Sequence, residues 1–166
     1  FNIEKLNWLN FEHLRHKPVT EVVNLLKSEL ADSDITSEFS DNYLTEVIDS
    51  MRERVSFVNE LITKSPYFFK TPTTYDEATL KKRWKEDSSS HLEKLIPKFQ
   101  SLENPSKEDF EHALHQLAEE NSIGLGKLIH PLRLAVSGMG EGPGVFDIVK
   151  IIGKDETLKR INSLLN

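Results

Sequence analysis

Cysteine is absent from all 166 residues, which excludes disulfides, thiolate zinc sites and cysteine nucleophiles together and suits a reducing compartment. No apolar run approaches the length that spans a bilayer, and no signal peptide is expected. Glycine is scarce: there are seven, and four of them fall between Gly138 and Gly144. No segment alternates at period two, so strands are not expected. An excess of positive charge is also missing. The 21 basic residues face 27 acidic ones, a net charge of −6 that argues against indiscriminate adhesion to nucleic acid or membrane. The first residue is Phe1 rather than Met, which implies an excised piece of something longer. A chain of this length makes one ordinary domain or two small helical ones, burying roughly 70% of its unfolded surface.

What is present is helical periodicity. Leu44, Val47, Ile48, Met51, Val55, Val58, Leu61 and Ile62 recur at steps of three and four, predicting a helix of about six turns from an N-cap at Ser40 to Pro66. Pro18 to Leu30 reads as a shorter helix with Val22, Val23, Leu25, Leu26 and Leu30 on its stripe. Leu92, Leu95, Ile96, Phe99 and Leu102 form another stripe, with a kink expected at Pro97. Ser106 and Asp109 have the spacing of a capping box before Phe110, Ala113, Leu114 and Leu117. Gly124 and Gly126 separate that helix from the next, which Gly138 should end as a left-handed residue. Two short helices split at Gly153 finish an all-α fold. Thr71-Pro72-Thr73-Thr74 and Glu103-Asn104-Pro105-Ser106 both look like boundaries. The division expected places a larger helical bundle up to Leu102 and a smaller one after it.

Charge is unevenly spread. Residues 101–125 hold six acids against one lysine, on the helix after Ser106. Basic residues gather at Lys81, Lys82, Arg83 and Lys85, beside Trp84, and again along the last helices. Such a run is most often a solvated face, but a basic cluster carrying an aromatic is also the composition that tracks RNA.

Catalytic chemistry finds little support. His112 and His115 share a helix face without a third ligand set by spacing, so no metal is expected. The segment GMGEGPG from Gly138 to Gly144 lacks the Gly-Lys-Ser/Thr ending and the preceding strand of a phosphate loop. No carboxylate pair sits in apolar sequence, and nothing marks an activated nucleophile. Arg133, between Leu132 and Leu134, is different. It either snorkels from an apolar helix or presents a planar fork of donors beside the glycine-rich segment, a geometry suited to a nucleobase edge.

Three blocks carry a family resemblance: FNIEKLNWLN at the start, MRERVSFVNELITKSPYFF with the following YDEATLKKRWK, and GKLIHPLRLAVSGMGEGPGVFDIVKIIGKDETLKRI. In that order they resemble the C-terminal part of bacterial glutamyl-tRNA synthetases, class I aminoacyl-tRNA synthetases. The resemblance implies two packed helical subdomains of the anticodon-binding type. Residues 1–16 would end a stem-contact region, 17–102 form the first anticodon-binding subdomain and 103–166 the second. It implies a parent that is a cytoplasmic monomer, attaches glutamate to tRNA(Glu), and uses ATP and Mg²⁺ in a catalytic domain. The family's signatures His-Ile-Gly-His and Lys-Met-Ser-Lys-Ser are not in this sequence. The piece is therefore expected to hold no catalytic, cofactor or metal residue and to bind the anticodon stem-loop, not DNA or membrane. The alternative left by the residues themselves is an all-α protein–protein interaction module.

Site residues carry over position by position. Arg133 matches the arginine of the family's Pro-Leu-Arg motif. Gly142, Pro143 and Val145 match loop positions that contact the first two anticodon bases. Arg54 matches the arginine that touches the third base, with Arg52 close enough to compete for that role. Lys81, Lys82, Arg83 and Lys85 are expected on the tRNA backbone. Two departures stand out: Gly142 can offer only backbone where the family often has a hydroxyl, and Val145 replaces the usual leucine. Ile3, Leu6, Trp8 and Leu9 are expected to pack partly against upstream structure.

Overall fold

In the computed structural model, which describes residues 2–166, the apolar stripe from Leu44 to Ile62 does not form one helix. It is split into α3 (Asp41–Met51) and a single turn, α4 (Glu60–Thr63). The run Val55-Ser56-Phe57-Val58-Asn59 is poor in helix formers. The Glu60 carboxylate accepts the Ser56 N–H at 2.7 Å, an alternative partner for a backbone donor that a continuous helix would have used. Val55 and Leu61 are buried all the same. Val58 and Ile62 are only half-buried, so the stripe identified most of the core correctly and the helix wrongly.

The residues up to Lys70 form one compact unit. Besides α3, α4 and a 3₁₀ turn at Pro66–Phe68, it holds α1 (Ile3–His16) and α2 (Val19–Ala31), with α2 packed on α3. Ser40 caps α3 as expected, accepting the Tyr43 N–H at 3.1 Å. The core takes Val22, Val23, Leu26, Leu44, Val47 and Ile48, whereas Leu25 is exposed. On α1 only Leu14 is buried, and Ile3, Leu6, Trp8 and Leu9 lie exposed. Phe1, the first residue of the expected 1–16 segment, lies outside the described residues.

Residues from Thr71 onward form the second unit. It comprises α5 (Glu77–Arg83), α6 (Ser88–Gln100), α7 (Lys107–Glu120), α8 (Gly126–Ser137), α9 (Val145–Ile152) and α10 (Lys154–Leu165). The division expected at Leu102 is therefore not the one that packing makes. Helix α6 lies against α7, α8 and α10, and its Phe99 ring meets Phe110 of α7 edge-on at 5.0 Å. Apolar burial ties α6 to the later helices. Helix α5, which buries no side chain, is joined to α8 through the Asp76 N–H and the Gly138 carbonyl. The chain divides at the Thr71-Pro72-Thr73-Thr74 stretch instead. Helix α6 runs on through Pro97. The capping box at Ser106 and Asp109 is present, and Gly138 ends α8 at φ 71°. No strand occurs among the described residues, and no described helix is long and apolar enough to cross a membrane.

Candidate nucleic-acid interface

The start of α5 is tied to the end of α8. Asp76 caps α5, accepting the Thr79 N–H at 2.8 Å and the Thr79 hydroxyl at 2.6 Å, which hold its carboxyl below the usual range. Its own N–H donates to the Gly138 carbonyl at 2.8 Å. That approach needs glycine: a Cβ at Gly138 would stand 2.7 Å from the Thr74 carbonyl oxygen, on a backbone that L side chains rarely adopt. Gly140 lies equally close to α5, where a Cβ would meet the Thr79 hydroxyl at 2.5 Å.

The glycine-rich loop is held from α8. Arg133 Nη1 donates to the Pro143 carbonyl at 2.7 Å, and the Ser137 hydroxyl donates to the Arg133 carbonyl at 2.7 Å while accepting the Met139 N–H at 3.1 Å. Behind it, Arg160 of α10 is buried, with 4% of its surface exposed. Its Nη1 donates to the Val136 carbonyl at 2.6 Å and its Nε to Glu156 at 2.9 Å. Glu156 also accepts the Thr71 hydroxyl at 2.6 Å. Burial pushes the Glu156 carboxyl up, but these hydrogen bonds and the Arg160 and Lys159 charges together hold it below its ordinary value. One buried arginine thus fixes both the C-terminal end of α8 and the stretch that leads to α5.

Between α5, α8 and the loop lies a pocket of about 190 Å³, lined by Ala78, Thr79, Lys82, Arg83, His130, Arg133, Gly140 and Glu141. Three cations and one acid meet there. Burial, then the charges of Arg83, Arg133 and Lys82, push the His130 imidazole below its ordinary value, so it is neutral near pH 7. The arrangement can attract an anion without a metal and offers directional donors at its rim.

The sequence-derived residues fare differently. Arg133, Lys82 and Arg83 come together at the pocket; Lys81 and Lys85 are exposed and do not line it. Gly142 is half-buried, and Pro143 is buried with its carbonyl committed to Arg133. Val145 is buried, at 3% exposure, because it opens the apolar face of α9, so its side chain offers no surface for stacking a base. Arg54 stands exposed in the first unit. Arg52 instead donates through Nη2 to the carbonyls of Leu14 and Lys17, at 2.8 and 2.6 Å, and closes the C-terminus of α1. Of the two competing arginines, only Arg54 is presented outward. His112 and His115 line an open acidic face of α7, and among the described residues no three His, Asp or Glu side chains are placed to hold a metal ion. His130 was missed. Its spacing of three from Arg133 on one helix was the available signal.

Comparison with known proteins bears on the whole chain. A family model described as an anticodon binding domain matches residues 15–165. The chain is 38% identical over 169 residues to a glutamate–tRNA ligase of Prosthecochloris aestuarii, covering 97% of this chain and 34% of that protein. A second glutamate–tRNA ligase, of Chloroherpeton thalassium, is also 38% identical with the same coverage. A crystal structure of a glutamate tRNA ligase from Elizabethkingia meningosepticum, in complex with its amino acid, superposes with a TM-score of 0.93 at 33% identity, over 99% of this chain and 32% of that one. The chain spans about a third of the length of the relatives it matches. With a family model accounting for nearly all of its helices, the chain belongs to the anticodon-binding domain family.

Proposed function

We propose that this chain is the anticodon-recognising part of a glutamate–tRNA ligase and binds tRNA(Glu) through the anticodon stem-loop. The observation that carries the reading is the family match over residues 15–165, in company with relatives that are glutamate–tRNA ligases. Charging of the tRNA, with ATP and Mg²⁺, would belong to another part of a cytoplasmic, monomeric parent.

Anticodon bases are unpaired and can be splayed onto a protein surface, where their Watson–Crick edges are readable. Glutamate anticodons end in cytosine, which offers the acceptors O2 and N3 to an arginine fork. Guanine in that place turns N1–H and N2–H donors toward the same guanidinium and is repelled. Arg54 has the exposure this role requires. Arg133 acts at the other bases, with the Gly142–Pro143 backbone that it holds; a contact from Val145 would be through backbone, since its side chain is packed away. Lys81, Lys82, Arg83 and Lys85 attract the phosphates.

Titration of the chain with tRNA(Glu) at several salt concentrations tests the reading. Affinity should fall steeply with salt, because neutralised phosphates release counterions. A variant tRNA whose anticodon ends in guanine should bind more weakly. Salt-independent binding, or none, sinks the proposal and favours a protein–protein module.

A further inference from the structure

Resting on that reading, we propose that the pocket between α5, α8 and the glycine-rich loop holds one backbone phosphate of the anticodon loop, with His130 as a donor that takes up a proton when the phosphate enters. The lining decides between a phosphate and a base. It contains no Phe, Tyr or Trp and one small apolar side chain, Ala78. Its one ring, the His130 imidazole, is half-buried and ringed by cations, which favours an anion over a stacked base. It does bring Lys82 and Arg83 from one helix and Arg133 from another around a half-buried imidazole. A phosphodiester is a compact anion that asks for such donors and no flat wall.

The proton follows from the charges that surround the ring. Those lining the pocket are Lys82 and Arg83 from α5, Arg133 from α8 itself and Glu141 from the loop; no titratable side chain of α6, α9 or α10 lines it among the described residues. Burial first, and then the three cations, disfavour a charged ring in the free chain. A phosphate supplies the missing negative charge and makes the imidazolium favourable. Affinity must then rise as pH falls through the ring's value in the complex, and level off below its value in the free chain. Glu141 opposes the same phosphate. It lies on the exposed loop and lowers the affinity for any anion that enters.

The test is binding of a tRNA(Glu) anticodon stem-loop RNA by the whole chain, followed by fluorescence anisotropy from about pH 8 to about pH 5.5, where histidine titrates. The wild-type chain should tighten by up to about tenfold per pH unit within that window, the limit for one linked proton. His130→Gln should bind more weakly than the wild type, most of all at about pH 5.5, and lose the dependence on pH. Glu141→Gln should tighten binding and keep the dependence. A scan of the RNA with single methylphosphonate linkages, against the wild-type chain, reads the same site without altering the protein. One neutral linkage should abolish the pH dependence and the others should preserve it. Thermal melts at each pH accompany every variant. Binding that is equally pH-dependent in His130→Gln, or a methylphosphonate scan in which no linkage matters, overturns the phosphate site and leaves anticodon binding standing. Absence of RNA binding at every pH overturns both.

Discussion

In the first unit the candidate recognition arginine, Arg54, is exposed on the turn that interrupts the helical stripe, while its neighbour Arg52 does the structural work at the end of α1. In the second unit the proposed recognition residue, Arg133, would carry both duties on one side chain. Arg133 is half-buried, and one of its donors already holds the Pro143 carbonyl. The second unit also places a buried arginine, Arg160, behind the site, where it is bonded to Val136 and Glu156. The comparison teaches that a guanidinium can be aimed by exposure on a short turn or by a scaffold of hydrogen bonds. The two designs respond differently to substitution. Where structure and recognition are separate residues they can be lost separately; where they are one residue they are lost together.

The largest effect should come from the scaffold. Arg160→Met leaves the Val136 carbonyl without its donor and Glu156 without its closest charge. Because Glu156 is partly solvated, the loss should lie near the lower end for a broken buried pair, about 3 kcal/mol, read by urea unfolding. A loss below about 1 kcal/mol would show that the network is not what holds α8.

Arg133→Ala should show both losses that the comparison assigns to it. Binding of the cognate tRNA should weaken by about 1–3 kcal/mol, with relaxed preference at the first or second base. Unfolding stability should also drop by about 1 kcal/mol, for the bond to Pro143. Arg133→Lys keeps the charge without the planar fork and should recover little of the base preference.

Arg54→Gln sharpens the contrast. Its stability should stay within about 0.5 kcal/mol of wild type, as for an exposed site. Binding of a tRNA ending its anticodon in cytosine should weaken by about 1–3 kcal/mol, while one ending in guanine should be nearly unaffected. Lys82→Ala, by contrast, should weaken every tRNA alike and flatten the salt dependence. If Arg54→Gln lowers the melting temperature as much as Arg133→Ala does, the two units do not differ in the way described.

The smallest effect concerns acid. The Glu156 carboxyl is held below its ordinary value of 4.5 in the folded chain, so its contribution is complete above that value and is lost as pH falls through the lower one. Glu156→Gln should therefore be less stable than wild type near neutrality, and the gap should narrow as pH falls below the carboxyl's ordinary value in a series of melts.

Much of this was legible in the residues. The capping box at Ser106 and Asp109, the left-handed stop at Gly138 and the break at Gly153 are local signals, and each took its expected place. The long stripe from Leu44 to Ile62 misled because periodicity reports which side chains face the core, and a broken helix can keep the same side chains inward. The boundary at Leu102 misled for a related reason. Proline and asparagine at 104–105 mark a turn, but a turn does not say whether the helices on either side share a core.

By itself, then, the sequence determined the helical class, the caps and breaks, the absence of catalytic signatures, and the basic and glycine-rich segments. All of these depend on interactions between residues a few positions apart. Tertiary structure alone decided that α5 belongs with α8, that Val145 is packed away, and that Arg52 is spent on α1 while Arg54 is not. It also decided that Lys82, Arg83 and Arg133 surround His130. Those outcomes depend on which apolar faces find each other. A buried face tolerates many sequences, but a charge near it feels every neighbour that packing brings within a few ångströms.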